Sequence, residues 1–231
     1  MKPSLLLRAI LFCCLCWGCR VQAACLDNVV LVHGNAGAPA DWSATYDELR
    51  QRGYSDNQIF RPSWGSKHCA SCNNHLGSEE TPVNLAIASA IEQSCTGKID
   101  VIGHSMGVTL AAQQIIKLNQ AQNVDAFVGI AGAYRGLWSC GIYPYNVYNS
   151  TCGASGLSVS SPFLDWLYGR YIGARVYSIK SWVDQIICGT GTCLVGGVHA
   201  SRILGERASY SFNYGHFGLQ QYTAGRQVDL L

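Results

Sequence analysis

No cluster of basic residues occurs in this sequence. Its 16 Lys and Arg face 14 Asp and Glu, and three of the cations, Lys2, Arg8 and Arg20, fall within the first 23 residues. Beyond residue 23 the count is 13 cations against 14 acids, a formal charge of −1. A near-neutral surface argues against nucleic acid as a partner and against electrostatic docking on anionic lipid. The sequence also lacks an apolar run long enough to span a bilayer as a helix, so no membrane span is expected. It shows no internal repeat and no low-complexity tract, which sets aside a solenoid or a compositionally biased chain.

What the N-terminus does have is a short apolar run, Ala9 to Trp17, preceded by Lys2 and Arg8 and followed by Val21-Gln22-Ala23. This is the pattern of a secretory signal cleaved after Ala23, and it predicts a secreted protein, extracellular or periplasmic. Neither Cys19 nor Cys25 has the leucine three residues upstream that a lipoprotein anchor uses. Residues 24–231 are then one domain of 208 residues, enough for a sizeable core. Four of the 12 cysteines, Cys13, Cys14, Cys16 and Cys19, lie in the signal. Eight remain, an even number that in a secreted chain predicts up to four disulfides. Loop entropy favours the short closures Cys140–Cys152 and Cys188–Cys193. Cys25 and Cys95 each precede a predicted strand and can meet at one end of a parallel sheet. Cys69-Ala-Ser-Cys72 is left, flanked by His68 and His75, and both a redox and a zinc reading stay open for it, although no second C-x-x-C follows.

Strand and helix signals alternate along the rest. Strands are predicted at 28–33, 58–61, 99–102, 126–130, 175–179 and 208–212. Helices are predicted at 41–52, from Thr81 as N-cap with Pro82 at the first helical position, at 108–118 and at 219–231. This alternation implies a parallel sheet with helices on both faces. Residues 134–171 break the pattern with seven Trp, Tyr or Phe side chains beyond Tyr134 and Tyr171 themselves, too aromatic for a disordered connection.

Gly103-His104-Ser105-Met106-Gly107 carries the chemistry. A G-x-S-x-G pentapeptide between a strand and a helix is a nucleophile elbow of the α/β-hydrolase kind. The sharp turn lifts the serine hydroxyl above the sheet, side chains at the flanking glycines would collide with the neighbouring strand and helix, and the helix N-terminus faces the developing oxyanion. A serine hydroxyl needs a base, and the base needs an acid to hold its tautomer. In this fold both follow the serine, acid first. Of the two later histidines, His216 sits on a glycine-flanked loop before the last helix and is preferred to His199, which is expected on the surface. Of the later acids, Asp125 begins a strand at the wrong end of the sheet, Asp165 lies in the aromatic segment, and Glu206 is in a charged loop. Asp184 follows a strand at the C-terminal edge, where such sites assemble. The oxyanion hole needs two backbone N–H groups, one from Met106 and one from the loop after an earlier strand, at Asn35.

His33-Gly34-x-x-Gly37, the elbow, Val183-Asp184-Gln185-Ile186 and Gly215-His216-x-Gly218 together resemble, in order and spacing, the secreted class 2 lipases, similar to the small bacillus-type triacylglycerol lipases. The resemblance spans roughly residues 29–231. It implies an α/β-hydrolase fold: a mostly parallel sheet flanked by helices, in a compact single domain without a large helical lid. It implies ester hydrolysis by nucleophile Ser105, acid Asp184 and base His216, with Asn35 and Met106 as oxyanion donors and no metal or organic cofactor. The partners implied are an ester or lipid substrate and transient contact with lipid interfaces. Three features depart from the family pattern. Val108 stands where a second glycine often follows the elbow, Asn35 is polar where an apolar residue is common, and residues 134–171 are longer than in the smallest members. This aromatic segment is expected to cross the C-terminal edge and wall the acyl site, with Trp138 and Tyr145 touching substrate. The alternative is an insertion that packs a core of its own. An esterase, thioesterase or acyltransferase would share the elbow, and an inactive lipid-binding relative is disfavoured by the complete Ser-Asp-His set.

Overall fold

The computed structural model describes residues 25–231, and the expected signal segment, residues 1–23, lies outside them. Its strands are β1 (Asn28–Val32), β2 (Ile59–Phe60), β3 (Ile99–His104), β4 (Val124–Ile130), β5 (Gly141–Ile142), β6 (Tyr145–Asn146), β7 (Arg175–Lys180), β8 (Leu194–Val195), β9 (Val198–His199) and β10 (Ala208–Ser211). Its helices are α1 (Ser43–Gln51), α2 (Glu80–Glu92), α3 (Met106–Lys117), α4 (Pro162–Leu167), α5 (His216–Tyr222) and α6 (Ala224–Asp229). Six strands form one sheet in the order β10-β7-β4-β3-β1-β2, and every pairing in it is parallel. β5–β6 and β8–β9 are small antiparallel hairpins. No described helix is long and apolar enough to cross a membrane.

The central strands are buried on both faces, which is why they read as unbroken apolar runs rather than alternating ones. Alternate residues still serve different layers. Val30, Val32 and Val101 pack with α2, α3 and α4 on one side, while Val29, Leu31 and Ile102 pack with Trp42, Leu49, Leu219 and Val228 on the other. Most predicted elements are present with shifted ends. Thr81 is not the N-cap of α2: the helix begins at Glu80, and the Thr81 backbone N–H and hydroxyl both donate to the Gly77 carbonyl, drawing the first turn back. The tail helix starts at His216, earlier than expected, and breaks into α5 and α6 at Thr223.

All eight cysteines of the described chain are paired, as Cys25–Cys95, Cys69–Cys72, Cys140–Cys152 and Cys188–Cys193. Cys69 and Cys72 therefore offer no thiolates, and His75 is buried, facing the Thr109 hydroxyl at 2.8 Å and the Ser155 carbonyl at 3.2 Å. The zinc reading of that motif does not hold.

Val108 shows how the elbow helix packs without a second glycine. A Cβ built on Gly129 of β4 would lie 2.9 Å from Val108 Cγ1, and one on Gly132 would lie 2.8 Å from Val108 Cβ. Two glycines, one in the facing strand and one just past its end, leave the room that the Val108 side chain fills. Gly129→Ala should therefore cost about 1–3 kcal/mol through overpacking. Val108→Ala in the same chain should recover part of that loss, a coupling that thermal melts of the four-protein cycle would measure. An additive cycle would refute this account of the packing.

Candidate active site

Ser105 joins β3 to α3 with φ 54° and ψ −129°, a left-handed conformation that a non-glycine residue holds only when its surroundings impose it. Its N–H donates to the Ile130 carbonyl at 2.8 Å. A Cβ on Gly107 would lie 2.3 Å from the His33 carbonyl oxygen and 2.4 Å from that of Val32, and one on Gly103 would lie 2.8 Å from Val108 Cα. These are the collisions with strand and helix that the two glycines were expected to avoid. Met106 opens α3, so its N–H has no intrahelical acceptor.

The chain leaving β1 turns at His33-Gly34-Asn35-Ala36-Gly37. Gly37 N–H donates to the Gly34 carbonyl at 3.0 Å and Ala36 sits at φ 54°. The Asn35 side chain tethers this loop: Nδ2 donates to the Ala70 carbonyl at 3.0 Å, and Oδ1 accepts from Asn73 at 2.6 Å. His33 Nδ1 donates to the Gly34 carbonyl at 2.8 Å while Nε2 accepts from the Trp64 N–H at 3.2 Å.

Asp184 and His216 come together from the loop after β7 and the start of α5. His216 Nδ1 lies 2.9 and 3.0 Å from the two Asp184 carboxylate oxygens, and both residues are buried. Burial would raise the Asp184 carboxyl, but the His216 hydrogen bond and charge, with the N–H groups of Ile187 and Ile186, hold it below its ordinary value. The His216 backbone is gripped from two sides. Its N–H donates to Gln185 Oε1 at 2.9 Å, and its carbonyl accepts from His104 Nε2 at 3.1 Å. A Cβ on Gly215 would meet Gln185 Oε1 at 2.7 Å. Ser105 and His216 line one cavity of about 530 Å³. The Ser105 hydroxyl is not hydrogen-bonded to the ring among the described residues, a contact that commonly tightens only with substrate.

The other candidates fall elsewhere. His199 is buried rather than on the surface, and both its nitrogens are occupied, by the Ser181 carbonyl at 3.0 Å and the Ser201 N–H at 3.1 Å. Asp125 pairs with Arg175 at 2.7 Å at the opposite end of the sheet, Asp165 is exposed in the first turn of α4, and Glu206 binds Arg202. Trp138 and Tyr145 do not line the cavity. The Trp138 indole donates to the Leu194 carbonyl at 2.7 Å, and Tyr145, on the β5–β6 hairpin, is 89% exposed. Segment 134–171 turns Tyr134, Leu157, Phe163 and Leu167 into the main core instead, and reaches the site through Thr151, whose hydroxyl bonds the Ala70 and Asn73 carbonyls and accepts from Asn35 Nδ2 at 3.4 Å. The cavity walls that sequence reasoning missed are Ile186, Phe217, Gln220 and Gln221, with Ala70 and Asp41. Their signal was adjacency: Ile186 stands two residues past Asp184, and Phe217 and Gln220 are one and four residues along the helix that His216 begins.

Three histidines, two of them at this site, are buried. Burial holds His33 down at about 4, and His75 and His104 at about 3, with Lys67 adding to the effect at His33 and His216 at His104. Burial also lowers His199, and it raises Asp100 to about 7, with Asp27 adding to the rise. The unfolded chain protonates its histidines near 6.5, so below that pH it binds more protons than the fold at these four positions, and stability falls with pH. Asp100 acts oppositely between its unfolded value and about 7 but is one group against four. The thermal midpoint should therefore drop steadily from pH 6.5 to 4.5, at about 1.4 kcal/mol per pH unit for each net proton. A flat profile in that window would contradict this accounting.

A parallel sheet bearing a strained serine turn at the C-terminal end of its third strand, beside a buried Asp–His pair, defines an α/β-hydrolase. A family model described as lipase (class 2) matches residues 27–229, and the chain belongs to that family, the carboxylic ester hydrolases of lipase type. Solved structures share the fold. A Bacillus licheniformis lipase in mature form aligns with a TM-score of 0.56 at 12% identity, over 89% of this chain and 91% of that one. A Paleococcus ferrophilus monoacylglycerol lipase aligns with a TM-score of 0.54 at 14% identity, over 88% and 94%. Aspergillus fumigatus lipase B aligns with a TM-score of 0.51 at 15% identity, and this chain covers 82% of itself but 44% of that enzyme.

Proposed function

We propose that the protein is a secreted lipase that hydrolyses acylglycerol esters through Ser105, His216 and Asp184. The observation that carries the reading is the Asp184 carboxylate on His216 Nδ1, in the wall of the cavity that Ser105 also lines. With Nδ1–H held by Asp184, Nε2 is the free base. It takes the Ser105 proton as the hydroxyl oxygen attacks the ester carbonyl, and it returns that proton to the departing alcohol. Water then repeats the steps on the acyl-enzyme and releases the fatty acid. The backbone N–H groups of Asn35 and Met106 receive the oxyanion, a contribution of about 2.7–4 kcal/mol for one donor in comparable sites. Secretion is supported by the signal-like first 23 residues and by four disulfides, and the exported protein should begin at Ala24 by mass.

A lipid substrate is supported by the apolar rim. Phe217 and Ile186 both line the cavity and are 58% and 39% exposed. Asp41, Gln220 and Gln221 in the same walls favour a soluble-ester reading as the second choice. A chain-length series of p-nitrophenyl esters and emulsified glycerol esters separates the two. Phe217→Asp should lower hydrolysis of emulsified long-chain glycerides about tenfold, the equivalent of one buried aromatic contact, and spare p-nitrophenyl acetate. Turnover of short soluble esters alone would reject the lipase reading.

A further inference from the structure

A second cavity, of about 490 Å³, shares no residue with the one at Ser105. Lys180, Trp182, His199, Arg202, Ser209 and Ser211 line it, and no Asp or Glu does. β7 and β10 pair in parallel with Lys180 opposite Ser211 and Ser178 opposite Ser209, so the lysine and the two hydroxyls share one face of the sheet edge. Lys180 is 7% exposed, its Nζ donates to Ser209 Oγ at 2.7 Å and Ser211 Oγ at 2.8 Å, and it has no carboxylate within 4.0 Å among the described residues. The nearby acid, Glu206, is already bonded to Arg202 and to the Ile203 N–H. One positive charge is left unmatched and largely out of water, a costly arrangement without a counterion.

The remaining hydrogen-bonding capacity is one-sided. Ser209 accepts from Lys180 and from Ser178, and Ser211 accepts from Lys180, so both hydroxyl protons are left to donate. Arg202 uses Nε on Glu206 and keeps its terminal N–H groups. His199 offers neither nitrogen, since both are bonded to backbone. Donors of two cations and two hydroxyls, with no acid in the walls, suit a multivalent oxygen anion.

We propose that this cavity binds a phosphate group, held by Lys180, Arg202, Ser209 and Ser211. The volume exceeds what inorganic phosphate fills, so a phosphate ester fits, its organic part against Trp182, which is 55% exposed. The group can arrive as free phosphate or on a lipid headgroup. Occupancy would brace the end of β7, from which Ser181 and Trp182 lead directly to Asp184.

The test uses the disulfide-bonded protein without its signal segment. Its thermal midpoint is followed as inorganic phosphate or glycerol 3-phosphate is added at constant ionic strength, against chloride. The midpoint should rise with phosphate and not with chloride, and Lys180→Met and Ser211→Ala should each weaken the apparent affinity, the first about tenfold or more. Ser211→Ala and Arg202→Gln carry the test if Lys180→Met does not fold. No response to either anion, together with no Lys180-dependent binding to phosphatidylcholine vesicles carrying phosphatidic acid, overturns the proposal. So does an equal response in the wild type and all variants. Binding to those vesicles without a response to free anion assigns the headgroup as the source, and the converse assigns the free anion. Hydrolysis of a soluble ester in the absence of phosphate should be the same in the Lys180 variant and the wild type.

Discussion

Ser105→Ala is expected to abolish ester hydrolysis, by roughly 10⁶-fold if the triad behaves as comparable ones do, while leaving the thermal midpoint nearly unchanged. The second half follows from geometry. Alanine keeps the Cβ that rests against Gly34 and meets the same positive φ, so neither packing nor backbone strain changes. Covalent labelling by a fluorophosphonate should disappear in parallel with activity. Turnover persisting in this variant would remove Ser105 as the nucleophile and with it the proposed mechanism.

Asp184→Asn is expected to cost about 10⁴ in kcat, the loss seen when a triad histidine is left in the wrong tautomer. The amide would keep one oxygen for the Ile186 and Ile187 N–H groups, both 2.9 Å from Asp184 Oδ1, so the turn should survive. His216→Ala should be as inactive as Ser105→Ala, because the two act as a unit. His199→Ala is the contrasting variant. Its imidazole ties the Ser181 carbonyl to the Ser201 N–H and packs edge-on to Trp182, so its removal should lower stability and leave turnover measurable. Kinetics and melts on the three proteins decide the assignment. Activity lost in His199→Ala and kept in His216→Ala would reverse it.

The elbow could be read from sequence because its requirements are steric and local: two positions that tolerate no Cβ, next to a serine, between an apolar run and a helix. The Asp184–His216 pair was legible through chain order, which the topology of a parallel sheet imposes on residues that must reach one edge. Cys25 and Cys95 were legible for the same reason, each preceding a strand that enters the sheet from the same end. What failed was the reading of aromatic content as direction. Trp138 and Tyr145 belong to a segment rich in large side chains, but composition does not say which of them turn inward, and Tyr134 and Phe163 took the core while Tyr145 was left to solvent. His199 misled for a related reason: a histidine between glycine-rich turns reads as exposed, whereas here it lies on the β8–β9 hairpin and its ring bonds the Ser181 carbonyl just past β7. Val108 stood out in the sequence, but the glycines that make room for it, Gly129 and Gly132, are distant in sequence and adjacent only across the sheet.

The four disulfides are distributed unevenly between scaffold and working edge. Cys25–Cys95 spans 70 residues and joins the entries of β1 and β3, whereas Cys69–Cys72, Cys140–Cys152 and Cys188–Cys193 span 3, 12 and 5 residues in loops that leave the C-terminal ends of strands. A long closure restrains the unfolded chain most, and a short one mainly stiffens its own loop. Ala70, inside the Cys69–Cys72 ring, holds Asn35, and the Cys188–Cys193 ring begins four residues past Asp184. Rigidity of the site loops and restraint of the unfolded chain thus fall to different bridges. Loss of a short bridge is expected to loosen the loop it closes, whereas loss of Cys25–Cys95, whose two cysteines are exposed, is expected to show first as a lower melting temperature.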